Sequence, residues 1–333
     1  MNHSVIYIMV FLAFGIMSCE KISNGYKYEQ GTLPDTPVNL SDFNTAYDDF
    51  NSTAPTLGEL IPFCFSTNRN SSGEEFDIIY QPMNVNFDKT SGILKITNEY
   101  ANWGVFEEDY EVIEEGMNTI RTEGNEYGPN LLMEYGTNEF VFTLLYSTDI
   151  SGKSQIKYIT NKSGDGFTEP ADVGFLKSEF DDMYPTFNSG KNRIYFCSNR
   201  EGEGFNIYYV NVNPGADYQS VLSDNTQYEV FLDTTLSGNS DDKCPFIFGN
   251  VMVFVSDRDG GHGGFDLYYS LWENGEWSEP VNFGPTINTE HDEYRPILID
   301  EGVSTAQSMM VFSSDRPGGL GGFDLYFTGI NNQ

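Results

Sequence analysis

Alternating apolar and polar positions dominate this chain, and long helical periodicity is scarce. Met310 to Phe327, MVFSSDRPGGLGGFDLYF, is an apolar run, a charged and glycine-rich break, and a second aromatic-rich run, which predicts strand, tight turn and strand. Val253 to Tyr269 (VFVSDRDGGHGGFDLYY) and Arg193 to Tyr209 (RIYFCSNREGEGFNIYY) repeat it; Ile61 to Tyr80 is a fainter copy and Glu139 to Tyr158 a more degraded one. Arg200, Arg258 and Arg316 stand 58 residues apart, and a fixed period of that size marks a repeat architecture.

A second repeated piece links the hairpins. Pro37 to Pro55, Pro170 to Pro185 and Pro280 to Pro296 each carry a short apolar strand, a loop with two adjacent acids, and a proline that opens the next apolar segment; Glu123 to Pro129 and Ser240 to Pro245 are looser versions. The unit therefore reads as four strands. Strand A follows the proline (Thr56–Leu57, Asn130–Met133, Thr186–Asn188, Phe246–Phe248, Ile297–Ile299), B ends in the Ser-Asp-Arg pattern, C begins at Phe-Asp, and D ends at the acidic loop. Five such units predict an all-β, five-bladed β-propeller, with blades over about 55–122, 129–178, 185–238, 245–289 and 296–330 of a domain spanning 37–333. The last unit lacks strand D, whereas an unattached one stands at Val38–Leu40. The amino-terminal segment 37–41 is therefore expected to complete the last blade. Residues 90–120 exceed what a strand D needs and read as a surface insertion; a sixth blade between Met83 and Tyr127 is the alternative. In the second unit, Asp149 stands near the arginine position.

Composition narrows the class. The chain has 26 Phe and 21 Tyr, which favour sheet, and a formal charge of −33, which excludes nucleic acid as a partner because phosphates need Lys and Arg. From Val5 to Met17 it is apolar and uncharged, ending in Gly-Ile-Met-Ser-Cys. That segment has the length of a signal core and resembles a bacterial lipobox, which implies a signal at 1–18, lipidation of Cys19, a polar tether over 19–36, and anchoring at the outer membrane. Cys64, Cys197 and Cys244 remain, without metal-binding spacing; Cys64 and Cys197 read as small core residues.

The quoted elements, above all SSDRPGGLGGFDLYF preceded by YRPIL, resemble the WD40-like or PD40 repeat of TolB-type propellers, in particular the copies in envelope lipoproteins and peptidoglycan-associated proteins of Bacteroidota. The resemblance covers about residues 37 to 330, strongest in the last three units. It implies a non-catalytic scaffold module that binds other envelope proteins.

The candidate site is a charged rim. Asp48 and Asp49, Asp181 and Asp182, Asp241 and Asp242, and Asp292 and Glu293 recur at one place in the unit, with Glu123 and Glu126 approximating the fifth pair. Loops D–A and B–C emerge on one face of a propeller, so these acids should share it with Arg69, Arg200, Arg258 and Arg316. One acid of each pair is expected to bond an arginine or backbone amides; the surplus carboxylates around the axis are candidates for a cation such as calcium or for a basic partner. Gly260–Gly264 and Gly318–Gly322 join antiparallel strands and read as turns, with the following Asp266 and Asp324 bonding the turn backbone. The alternative to a scaffold is a carbohydrate-binding or glycoside-hydrolase-like propeller, in which Trp103, Trp272 and Trp277 are candidate sugar platforms. Against it stands the recurrence of the acids, since catalytic carboxylates have different tasks in different blades.

Overall fold

In the computed structural model, residues 27–333 are described apart from 56–59, 100–106, 137–139, 163, 165, 203, 214–216, 300–304, 306 and 332–333. Cys19, the segment 1–18 and Trp103 lie outside the described residues.

The chain forms five antiparallel sheets that pack round one axis. β1 (Val38–Asn39) precedes blade 1, made of β2 (Asp49–Thr53), β3 (Leu60–Thr67), β4 (Asp77–Asp88) and β5 (Ile93–Thr97). Helix α1 (Glu107–Ile120) leads to blade 2, made of β6 (Glu126–Tyr135), β7 (Phe140–Thr148), β8 (Gln155–Thr160) and β9 (Ala171–Asp172). Blade 3 holds β10 (Asp182–Phe187), β11 (Arg193–Ser198), β12 (Asn206–Asn211), a short α2 (Tyr218–Leu222) and β13 (Val230–Leu232). Blade 4 holds β14 (Asp242–Phe248), β15 (Val251–Ser256), β16 (Asp266–Glu273), the hairpin strand β17 (Glu276–Trp277) and β18 (Val281–Asn282). Blade 5 is β19 (Glu293–Ile299), β20 (Ser308–Ser314) and β21 (Asp324–Ile330), completed by β1 in the register Val38 to Phe327 and Asn39 to Tyr326.

The innermost strand of each blade begins earlier than the apolar pattern predicts. It starts at the second acid of the pair, before the proline; in blade 1 it is Asp49–Thr53, and the expected Thr56–Leu57 lies outside the described residues. The cause is a bulge three residues in. The ladder shifts register between Phe50 and Thr53, Tyr127 and Asn130, Met183 and Thr186, Lys243 and Phe246, and Tyr294 and Ile297. Asn51, Gly128, Tyr184, Cys244 and Arg295 occupy these bulges with φ between 46° and 56°. In four of the five the next residue is proline, which a bulge tolerates because its nitrogen need not donate to the ladder.

The insertion after β5 is a helix rather than a sixth blade. Its Ile113, Met117 and Ile120, at helical spacing, are buried against Cys64, Ile78 and Phe142, sealing the outer seam of blades 1 and 2. All three described cysteines are free and buried.

Candidate functional site: the axial basin

Each blade boundary on the face of the D–A and B–C loops is closed by the same clasp. The amide at the start of strand C donates to the first residue of the acidic pair in the next blade: Phe323 to Asp48, Phe76 to Asn125, Ser154 to Asp181, Phe205 to Asp241, and Phe265 to Asp292, all at 2.8–2.9 Å. The amide of the second residue then donates back to the same carbonyl position: Asp49 to Phe323, Glu126 to Phe76, Asp182 to Ser154, Asp242 to Phe205, and Glu293 to Phe265. Asn125 thus fills the place that the sequence pattern gave to Glu123.

The second acids are fully buried, and four meet a guanidinium of their own blade: Asp49 with Arg69, Asp182 with Arg200 and Asp242 with Arg258 at 2.5 Å, and Glu293 with Arg316 at 2.9 Å. In these blades the Ser or Thr two residues before the arginine accepts from its Nε, which explains the Ser-Asp-Arg pattern. Burial pushes the Asp242 and Glu293 carboxyls up more than their bonds to Ser, Thr and Arg groups pull them down.

Blade 2 breaks the rule. Asp149 occupies the position before the arginine, accepting from the Asn125 amide at 2.8 Å, and Ile150 stands where the arginine stands elsewhere. Glu126 is left with hydroxyl partners, Thr122 at 2.6 Å and Thr148 at 3.4 Å, and its Oε2 is buried without a hydrogen bond. Desolvation raises its carboxyl to about 7, with the charge of Asp77 adding to the shift.

The bulge residues meet one another across the blades. Arg295, fully buried, donates from its two terminal nitrogens to the carbonyls of Pro245 and Pro129 at 3.0 Å, tying blade 5 to blades 4 and 2. Its guanidinium lies over the rings of Tyr184 (5.5 Å) and Phe246 (5.6 Å), and burial pulls its pKa down. Asn51 bonds the Tyr184 hydroxyl at 3.3 Å. Gly128 completes the plug: at φ 55° a Cβ there would stand 2.3 Å from the Tyr184 ring.

Above this plug lies a basin of half-buried side chains, made by the residue after each second acid (Phe50, Tyr127, Met183, Lys243, Tyr294) and the residue before strand C (Phe76, Phe205, Phe265, Phe323). Rings meet at 4.8 Å for Phe50 and Phe76, 5.6 Å for Phe76 and Tyr127, 5.5 Å for Phe265 and Tyr294, and 6.0 Å for Phe50 and Phe323. Lys243 lies over Phe205 and Phe265 at 4.7 and 4.8 Å and pairs with Asp241 at 2.7 Å. Ser154 and Met183 interrupt the aromatic ring between blades 2 and 3. Sequence reasoning found the acids and arginines and missed this basin. The signal was present in the residue following each second acid, but its type changes from blade to blade.

The glycine turns behave as predicted: Asp266 accepts from the amides of His262 and Gly263. Trp272 and Trp277 sit on the opposite face, beside a cleft of about 170 Å3 between blades 3 and 4. Among the described residues no group of three or more His, Cys, Asp or Glu is arranged to hold a metal.

The fold and site define a closed five-bladed propeller with a plugged axis and an aromatic basin on one face. No family model matches the sequence, and no curated protein matches it. Solved structures do. A thermostable family-43 glycoside hydrolase superposes with a TM-score of 0.53 at 10% identity, covering 89% of this chain and 94% of its own. A β-xylosidase gives 0.51 at 8% identity, covering 89% and 95%. The Bacteroides ovatus protein Xyloglucan PUL GH43B gives 0.50 at 13% identity, covering 89% and 55%. At these identities the likeness is one of fold. The expectation of a non-catalytic TolB-type scaffold is corrected to this extent: these fold neighbours are named as a glycoside hydrolase and a β-xylosidase, not as scaffolds. The WD40-like or TolB resemblance rests on the blade motif alone.

Proposed function

We propose that this protein is a carbohydrate-active propeller that takes a segment of oligosaccharide into the axial basin. The observation that carries the reading is the ring of half-buried aromatic side chains round the axis, five Phe and two Tyr at the centre of a face otherwise rich in acid. Flat rings present apolar area to the C–H faces of sugars, while the flanking carboxylates and amides accept and donate to hydroxyls. The neighbours' hydrolase activity supports the substrate class. The TolB-like motif is, on this reading, the sequence of the blade clasp, an architectural feature that different propellers can share.

One observation favours a hydrolytic version. Glu126, beside Tyr127 of the basin, is the one second acid without an arginine, and a carboxyl near 7 exchanges protons at neutral pH as a general acid must. Its carboxyl is fully buried, so donation to a bound glycosidic oxygen requires the Thr122 segment that covers it to move.

The test is calorimetric titration with xylo- and cello-oligosaccharides, with Tyr127→Ala and Phe323→Ala as variants and reducing-sugar release measured in parallel. Affinity should fall at least tenfold in each variant with the melting temperature held within a few degrees. Saturable binding unchanged in both variants places the sugar elsewhere. No binding of any neutral or acidic oligosaccharide overturns the reading, and release that persists in Glu126→Gln removes Glu126 as proton donor.

A further inference from the structure

The opposite face carries a second concavity that the basin does not explain. Between blades 3 and 4 a cleft of about 170 Å3 is lined by Trp272, Trp277, Tyr195 and Ile247, with Asn188 and Ser189 at its polar edge. The last three are shared with a larger hollow of about 250 Å3 at the axial mouth, so the two form one groove running from the blade edge to the axis. Trp277 is fixed by a bond from its Nε1 to the Tyr195 hydroxyl at 2.9 Å, and Trp272 packs on it edge to face at 5.1 Å. The aromatic wall is therefore set before any ligand arrives.

Arg193 sits at the end of this wall. Its guanidinium lies over Tyr209 at 4.4 Å and Trp272 at 5.3 Å, with Nε bonded to Asn211 at 2.9 Å and one terminal nitrogen to the Tyr195 hydroxyl at 3.0 Å. The chain has seven arginines. Arg69, Arg200, Arg258 and Arg316 are held by the second acids, Arg121 pairs with Asp77, and Arg295 is sealed in the axis. Arg193 is half-buried, and among the described residues no carboxylate lies within ion-pair distance of it. Asp233, close enough to feel its field, instead accepts from the amides of Thr235 and Leu236. In a protein of charge −33, a solvent-reachable guanidinium that has not been neutralised is an exception, and planar guanidinium is suited to bind carboxylate through parallel hydrogen bonds.

We infer that this groove is a second carbohydrate site, selective for a sugar bearing a carboxylate, with the pyranose against Trp272 and the uronate against Arg193. A net-negative protein repels acidic glycans in general, so uptake of one depends on a dedicated cation, and the aromatic surface beside it supplies the neutral part of the contact. The groove's continuation toward the axial mouth leaves room for more than one ring of the chain.

Trigalacturonate and xylotriose are the probes, followed by titration calorimetry and tryptophan fluorescence at 20 and 200 mM salt. The wild-type protein should bind trigalacturonate at least tenfold more tightly than xylotriose at this face, quench its tryptophan emission, and lose affinity as salt rises. Arg193→Gln should erase the preference, Arg193→Lys should keep part of it, and Trp272→Ala should weaken binding of the acidic trimer. Equal affinity for both trimers in the wild type, or trigalacturonate affinity unchanged in Arg193→Gln, overturns the inference. The wild-type preference and its salt dependence decide the matter even if a variant fails to fold. The inference stands apart from the basin: xylo-oligosaccharide binding that still depends on Tyr127, without any preference for the acidic trimer, ends this proposal and leaves the basin in place.

Discussion

At the scale of single residues, two buried ionisable groups set the behaviour of the molecule. Glu126 titrates near 7 in the folded chain against a usual 4.5, so the folded state holds its proton more tightly than the unfolded state. Its contribution is complete below about pH 4.5 and is lost as pH rises through 7, to a limit of about 3 kcal/mol at 1.4 kcal/mol per unit. Asp242, Glu293 and Asp233 are shifted the same way and add to the slope. Urea unfolding from pH 5 to 8 should show stability falling, and Glu126→Gln should flatten part of that fall; an identical profile in the variant would exclude Glu126 as its source. Arg295 carries the other charge. Its removal leaves the carbonyls of Pro129 and Pro245 unpaired at a closed axis, so Arg295→Ala should cost about 3 kcal/mol or more, measured by the same unfolding. Nothing in the sequence pattern announced this role, because the other blades place Asn, Gly, Tyr and Cys at the same bulge.

At the scale of elements, what recurs in kind was legible and what recurs only in place was not. The hairpins, the units, the closing strand and, outside blade 2, the acid and arginine positions follow from residues that recur in the same order in each unit. Strand A was placed late because its first three residues, acid, variable side chain and bulge, break the alternation expected of a strand. Helix α1 was hidden for a different reason: its acidic run reads as solvated surface, and only the spacing of Ile113, Met117 and Ile120 marks a buried stripe. The turns hold one further constraint. A Cβ on Gly321 would lie 1.9 Å from the carbonyl oxygen of Tyr47, where the last blade's hairpin touches the first blade's acidic loop. Gly321→Ala must push that seam apart, and a loss of about 2 kcal/mol or more is expected by denaturant titration, in line with other overpacked contacts; a neutral result would mean that the seam is loose.

At the scale of the whole molecule, the clasps and the surface charge pull in opposite directions. Four arginine–carboxylate pairs have a fully buried carboxylate and a mostly covered arginine, and are therefore little affected by salt, whereas the excess of acid on the exterior repels itself. Raising sodium chloride from 10 to 300 mM should accordingly raise the melting temperature by several degrees. A decrease would show that exposed ion pairs, such as Lys153 with Asp181 and Lys177 with Asp172, outweigh the repulsion.

The pairing of β1 with β21 sets a timetable. Val38 leaves the ribosome long before Phe327, yet these two residues face each other in the finished ring. Throughout synthesis the leading strand has nowhere to dock, and blades 1 to 4 wait as an open arc with a raw border at each end. Completion comes only when β21 is delivered, so a chain interrupted before Tyr326 and Phe327 would be left as an unlocked arc.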